Sequence, residues 1–448
     1  FYLPLIKFYR IIKPGSVQFY NQTLIPMIQE QIIKHLEEPR ELERLYRSDK
    51  KGFEKAFFAL LPQLENTSFA GFWKARLEGD RPGELFAGIR TYDILALLGS
   101  CILAAFLINL PQWFGFNMNA THFYERNAFW IGFMGLSFYT LLSRRQFDPK
   151  KLALTGLAFL LPLVYVNLLP VFSRSHTLNL VYIHLPLLVW ALFGVVFLDW
   201  DLKSKARRIE FLKHNGELGV LGAVIVLAGL ALAGIAIGLF SVIDISIENF
   251  VGQYAALWGA VSAPIVTAFI VRFFPYISSR IAPVIARIFS PLVLLTLLIY
   301  LLTIVVTGKD PYNDREFLMI FNLMLIGVMG LIAFSVAETT SGTRQRFNET
   351  ILLMLTAVAL LINLVALSAI VYRLGEYGFT PNRTAVLGAN LLIFIHLVWI
   401  GVDLYRVNFR QQPLKKVEDS IAGFLPVYVF WLIVVIFLFP LVFGWWVI

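Results

Sequence analysis

Three sets of residues in this 448-residue chain have the types and spacing that chemistry needs. His396, Trp399 and Asp403 stand at i, i+3 and i+7, one face of a helix, and form a candidate polar track through an otherwise apolar segment. Asn363 and Asn390 join that set, because amides on neighbouring apolar helices bond across the gap between them. The second set is Arg373, Glu376, Tyr377 and Arg383, on a connection between two late apolar segments. Arg373 and Glu376, three apart, can pair if the helix continues that far. Arg373 and Arg383 offer an anion or lipid headgroup two cations; the alternative is a rigid re-entry loop that sets the angle between helices. The third set, Arg272, Arg287 and Glu338, falls at ends of apolar segments, as candidate ion pairs or as interfacial anchors.

Catalytic signatures are missing. The sequence has no His-Glu-x-x-His pattern, phosphate loop, Gly-x-Ser-x-Gly elbow or dinucleotide fingerprint. No two of the six histidines sit at ligand spacing on one helix. Cys101 is the single cysteine, so neither an internal disulfide nor a thiolate metal site can form. No metal, cofactor or catalytic residue is expected.

These residues need elements to position them, and composition says which. Hydrophobic residues make up 58% of the chain and charged ones 15%, far from the roughly 25% charged of soluble domains. Lipid is the expected solvent. Apolar stretches long enough to cross about 30 Å of hydrocarbon lie near 93–111, 127–142, 152–170, 179–198, 218–242, 253–273, 287–306, 317–338, 351–372, 384–403 and 424–447. Pro162, Pro186 and Pro264 fall inside spans, and each removes one backbone bond. Gly234 and Gly238 form a small-xxx-small pair expected to pack against another helix.

Cationic loops set the orientation. Lys203, Lys205, Arg207, Arg208 and Lys213 crowd 199–217, whereas 243–252 has no basic residue. This alternation runs along the chain and weakens only in its later loops. The positive-inside rule then puts the N-terminus in the cytoplasm and, with an odd number of spans, the C-terminus outside. The net charge of +9 follows these loops, so nucleic acid is not an expected partner, whereas membrane lipids are.

The expected fold is all-α: a polytopic transmembrane bundle over 91–448 preceded by a small helical cytoplasmic or interfacial region, 1–90. In that region Ile25, Ile28, Ile32 and Leu36 predict a helix that Pro39 stops, Phe53, Phe57 and Leu61 a second, and Phe69, Trp73 and Leu77 a third. Residues 1–12 read either as a segment in the headgroup layer or as the end of a truncated helix. The region is a candidate docking element for a protein partner.

The stretch Arg373-Leu-Gly-Glu376-Tyr377-Gly378-Phe-Thr380-Pro381-Asn382-Arg383 carries a resemblance. It is similar to an Arg-x-x-Glu-Tyr-Gly-x-Thr-Pro-x-Arg stretch in a family of bacterial polytopic membrane proteins known only as a domain of unknown function. The resemblance implies a multi-pass protein of the bacterial inner membrane and supplies no substrate. The function expected first is transport or export of a lipid or amphipathic molecule. The alternatives are a non-catalytic scaffold or subunit of a membrane assembly, and an intramembrane enzyme on lipid-linked substrates. An enzymatic role is the less favoured.

Overall fold

The computed structural model describes residues 25–36, 38–64, 68–79, 88–115, 122–144, 148–170, 175–308, 312, 315–339 and 346–444. It divides the chain into two compact units, Phe1–Arg90 and Thr91–Ile448. The expectation for residues 1–12 lies outside the described residues.

The first unit holds four described helices: α1 (Ile25–Lys34), α2 (Pro39–Ser48), α3 (Lys50–Leu64) and α4 (Ser68–Gly79). Ile28, Ile32, Leu42, Tyr46, Phe53, Phe57, Trp73 and Leu77 form its core. Trp73 packs on Phe53 with ring centroids 4.9 Å apart. Pro39 opens α2 rather than closing α1, which ends at Lys34. Proline fits a first helical turn because the amide it lacks has no helical acceptor there. The sequence reading missed α2, whose Leu42 and Tyr46 are buried one turn apart.

The second unit is a bundle of long helices: α5 (Thr91–Ile108), α6 (Phe123–Ser143), α7 (Pro149–Leu168), α8 (His176–Phe197), α9 (Lys205–Ser241), α10 (Glu248–Phe273), α11 (Pro275–Thr307), α12 (Arg315–Glu338), α13 (Arg346–Tyr377), α14 (Pro381–Arg410) and α15 (Lys415–Phe443). Ten of them are long and apolar enough to cross a membrane. The exception is α6, which buries Arg126, Asn127 and Ser137. It runs through the interior: a Cβ on Gly135 would meet Ile265 of α10 at 2.9 Å and Ala104 of α5 at 3.1 Å. At 21 residues it is about 31 Å long, enough to span with its neighbours.

Contacts near the two ends, together with the 2.9 Å hydrogen bond between Ser290 of α11 and Ser335 of α12, show the helices threading back and forth. At one end Tyr92 donates to the Leu142 carbonyl, Lys213 faces Glu338, and Asn408 donates to the Glu349 carbonyl. At the other Gln112 donates to the Gln253 carbonyl, Thr177 to that of Gly444, and Arg126 to that of Leu169. The first end is the one rich in Lys and Arg. Antiparallel helices of bilayer length, apolar where they face outward, make this a multi-pass membrane protein.

Four apolar clusters of described residues fill the bundle, and the two with the most buried side chains meet at one helix. One joins α5, α6, α8 and α10 through Ala104, Ile131, Phe193 and Ile265. The other joins α11 to α15 through Leu297, Leu325, Ile362, Leu397 and Val417. Helix α9 ties them together: Ile209 enters the second cluster and Phe211, on its opposite side, the first. Beyond Leu221 the same helix is exposed nearly all round, and nothing lies within 4 Å of a Cβ built on Gly234 or Gly238. Among the described residues the glycine pair therefore packs on no other helix, contrary to the sequence reading. An apolar helix exposed all round is suited to lipid.

Prolines leave carbonyls that other helices satisfy. Pro426 removes the donor for Ala422, and Arg208 supplies one at 2.8 Å. Pro440 does the same to Ile436, whose carbonyl accepts from the Tyr165 hydroxyl at 3.2 Å. A π-helical turn, Val434–Leu438, precedes that second proline.

Candidate functional site

A cavity opens at the basic end, where α6, α9 and α10 meet the turn between α8 and α9. It measures about 490 Å³. Arg144, Arg207 and Arg272 line it together with Asp199 and Glu210, while Phe197 and Val271 contribute apolar wall. Arg144 donates through Nη1 to Asp199 Oδ1 at 2.7 Å and through Nη2 to the Phe197 carbonyl at 2.6 Å. Lys151 reaches the other carboxylate oxygen of Asp199 at 2.6 Å. Arg272 donates to the Ser143 carbonyl at 2.6 Å, at the C-terminal end of α6.

The turn that carries Asp199 is unusual. Asp199 and Trp200 have φ of 55° and 65°, a region costly for a side chain as large as tryptophan. The indole of Trp200 is held by Thr155 Oγ1 at 3.2 Å, so α7 braces the turn. Burial alone would raise the pKa of Asp199. The Lys151 hydrogen bond and the charges of Arg144, Lys151 and Arg207 outweigh it and hold the carboxyl below its usual range. The result is a fixed anion that orients two cations at the rim while Arg272 and Arg207 keep exposed surface.

The sequence-derived residues fall into several places. Asn363 and Asn390, 0% and 1% exposed, bond at 3.1 Å across α13 and α14. Asn390 also donates to Asn322 on α12 at 2.7 Å, so three helices share one amide network. His396 and Asp403 face α15 instead. The Tyr428 hydroxyl lies 2.9 Å from His396 Nδ1, and Phe424 stacks on the imidazole at 4.4 Å. Asp403 accepts from Ser420 at 2.6 Å and from Arg406 at 3.1 Å. Asn390 and His396 are six residues apart, about 240° around the helix, so the polar residues form two clusters rather than one line.

The loop set closes on itself. Helix α13 continues through Glu376 to Tyr377, and Gly378 alone takes a left-handed conformation, φ 73°. Thr380 caps α14, accepting from the Arg383 amide, with Pro381 at the first helical position. Arg383 Nη1 donates to the carbonyls of Tyr377 and Gly378 at 2.7 and 2.9 Å, and its guanidinium lies over the Tyr377 ring. Arg373 faces the same ring at 6.0 Å, and Glu376 is exposed. This arrangement clamps the turn.

In the third set, Glu338, with its side chain 2% exposed, faces Lys213 Nζ at 3.7 Å. Arg272 lines the basic cavity, and Arg287 lines a different one, beside Arg346. Among the described residues no three His, Cys, Asp or Glu side chains are grouped as a metal site.

Sequence reasoning missed Asn322, Tyr428 and the Arg144–Asp199–Lys151 triad. Asn322 was readable as a polar residue within an apolar span. The triad joins three segments, and nothing in sequence spacing brings them together.

No family model, curated protein or solved structure matches the chain. The class that fold and site define is therefore a multi-pass α-helical membrane protein with an open, cation-lined cavity at its basic end.

Proposed function

We propose that this protein assists transport or export of a lipid or other amphipathic molecule, received at the basic-end cavity. The supporting observation is the cavity itself, where Arg272 and Arg207 face a space that Phe197 and Val271 line with carbon. An anionic head with an apolar body fits that combination. The basic end faces the cytoplasm by the positive-inside rule, which puts residues 1–90 inside and the end of α15 outside. The resemblance in the 373–383 stretch argues for a bacterial inner membrane.

The test is movement of fluorescent phospholipid between leaflets of vesicles holding the purified full chain. Wild-type protein should speed the exchange over protein-free vesicles, and R207Q/R272Q should slow it about tenfold, as expected for lost charge-assisted contacts. An exchange rate equal to that of empty vesicles would end the proposal.

A second reading has its own support. The first unit exposes Met27, Ile33 and Phe72, large apolar side chains on a small charged domain. As a scaffold, the protein would hold a partner through this unit. Copurification of a fixed partner, lost on deleting residues 1–79, would favour it.

A further inference from the structure

A second cavity, of about 420 Å³, lies between α11 and α13 at the basic end. Arg287 and Arg346 line it with Pro291, Phe347, Asn348 and Ile351. No carboxylate is among the lining residues. Glu349, three residues beyond Arg346, is 5% exposed and does not line it. Among the described residues neither guanidinium has an acidic partner. Two unneutralised arginines sharing a cavity repel each other unless an anion lies between them.

The surroundings narrow the ligand. Arg346 stands at the start of α13 and Arg287 within α11, both on the basic side of the bundle. Phe347, 74% exposed, and Ile351 and Pro291 supply carbon beside the charges. Guanidinium forks match the oxygens of a phosphate with parallel hydrogen bonds.

We infer that Arg287 and Arg346 form an oxyanion site that takes a phosphate or phosphodiester group. A phospholipid headgroup and a free phosphate are the two sources of that chemistry. The site lies apart from the cavity at Arg272 and does not presuppose lipid movement.

The experiment uses the full chain purified in mild detergent. One arm counts phosphatidylglycerol and phosphatidylcholine adducts by native mass spectrometry. The other measures the melting temperature with and without inorganic phosphate. Retention of phosphatidylglycerol that falls about tenfold in R287Q/R346Q establishes a lipid source. A phosphate-induced rise in melting temperature, lost in the same variant without any lipid preference, establishes a soluble one. R287K/R346K keeps both charges but not the planar fork, and should bind more weakly than wild type yet better than the glutamine pair. It carries the comparison if R287Q/R346Q does not elute as a folded species. Equal lipid retention in wild type and variant, with no response to phosphate, overturns the inference.

Discussion

Arg208 on α9 donates to the carbonyl of Ala422 on α15, the acceptor that Pro426 leaves without its helical donor, at 2.8 Å. A kink in one helix is thus completed by a cation from another. The other terminal nitrogen, Nη2, donates to the Leu202 carbonyl, which ties the start of α9 to the turn before it.

Removing that cation exposes the kink. R208L should lower stability by about 1.5–3 kcal/mol, the range for a hydrogen bond to a charged group. P426A restores the helical amide, so part of the loss should disappear in R208L/P426A. Denaturant unfolding of the four proteins in detergent gives the coupling directly. If R208L costs the same with and without Pro426, the two residues are not linked.

Asp199 predicts a pH dependence of definite sign. A carboxyl whose folded pKa is depressed stabilises the fold above its unfolded pKa, about 3.9 for aspartate, and loses that contribution as pH falls through the folded value. Its side chain is 39% exposed, so solvent screening limits the contribution to roughly 1 kcal/mol or less. Wild type should melt above D199N at neutral pH, and the gap should close in acid. Melting curves that stay parallel through the acid range would contradict the pairing.

Arg126 is buried at 5% exposure, and among the described residues its hydrogen bonds reach no carboxylate. Its donors go to the Tyr182 hydroxyl and to the carbonyls of Asn167 and Leu169, at the C-terminal end of α7. The negative end of that helix dipole supplies the missing charge. R126M should cost several times more than Y182F, because it leaves buried acceptors without a donor at about 1–3 kcal/mol each. Equal losses for the two variants would show that the carbonyl contacts carry no energy.

Gly388 marks a close helix approach. A Cβ there would fall 2.1 Å from the Trp431 ring, so α14 and α15 meet with no room for a methyl group. G388A should destabilise by about 1–3 kcal/mol through overpacking, and W431L should relieve part of that loss. Unchanged unfolding of G388A would place the indole elsewhere.

Helix positions were legible because lipid imposes one rule on every span: about 20 apolar residues, all backbone bonds internal. Even α6 was readable, although it falls short of its neighbours in hydropathy, because the charged turns on either side alternate. The Thr380–Pro381 restart was legible for a local reason, since a cap and a first-turn proline need only adjacent residues. Asn363 and Asn390 were named from type and approximate depth alone.

The amino-acid order by itself determined how many apolar segments there are, where they break and which ends are cationic, since these depend on neighbours along the chain. Only the tertiary structure decided which side chains share a space. Asn390 turned toward Asn322 and Asn363 while His396, six residues on, turned toward Tyr428. Arg287 came to stand beside Arg346, and Asp199 between Arg144 and Lys151. Those partnerships depend on the azimuth of each helix about its own axis. Packing of many small contacts sets that angle, and hydropathy, being nearly uniform around a span, does not encode it.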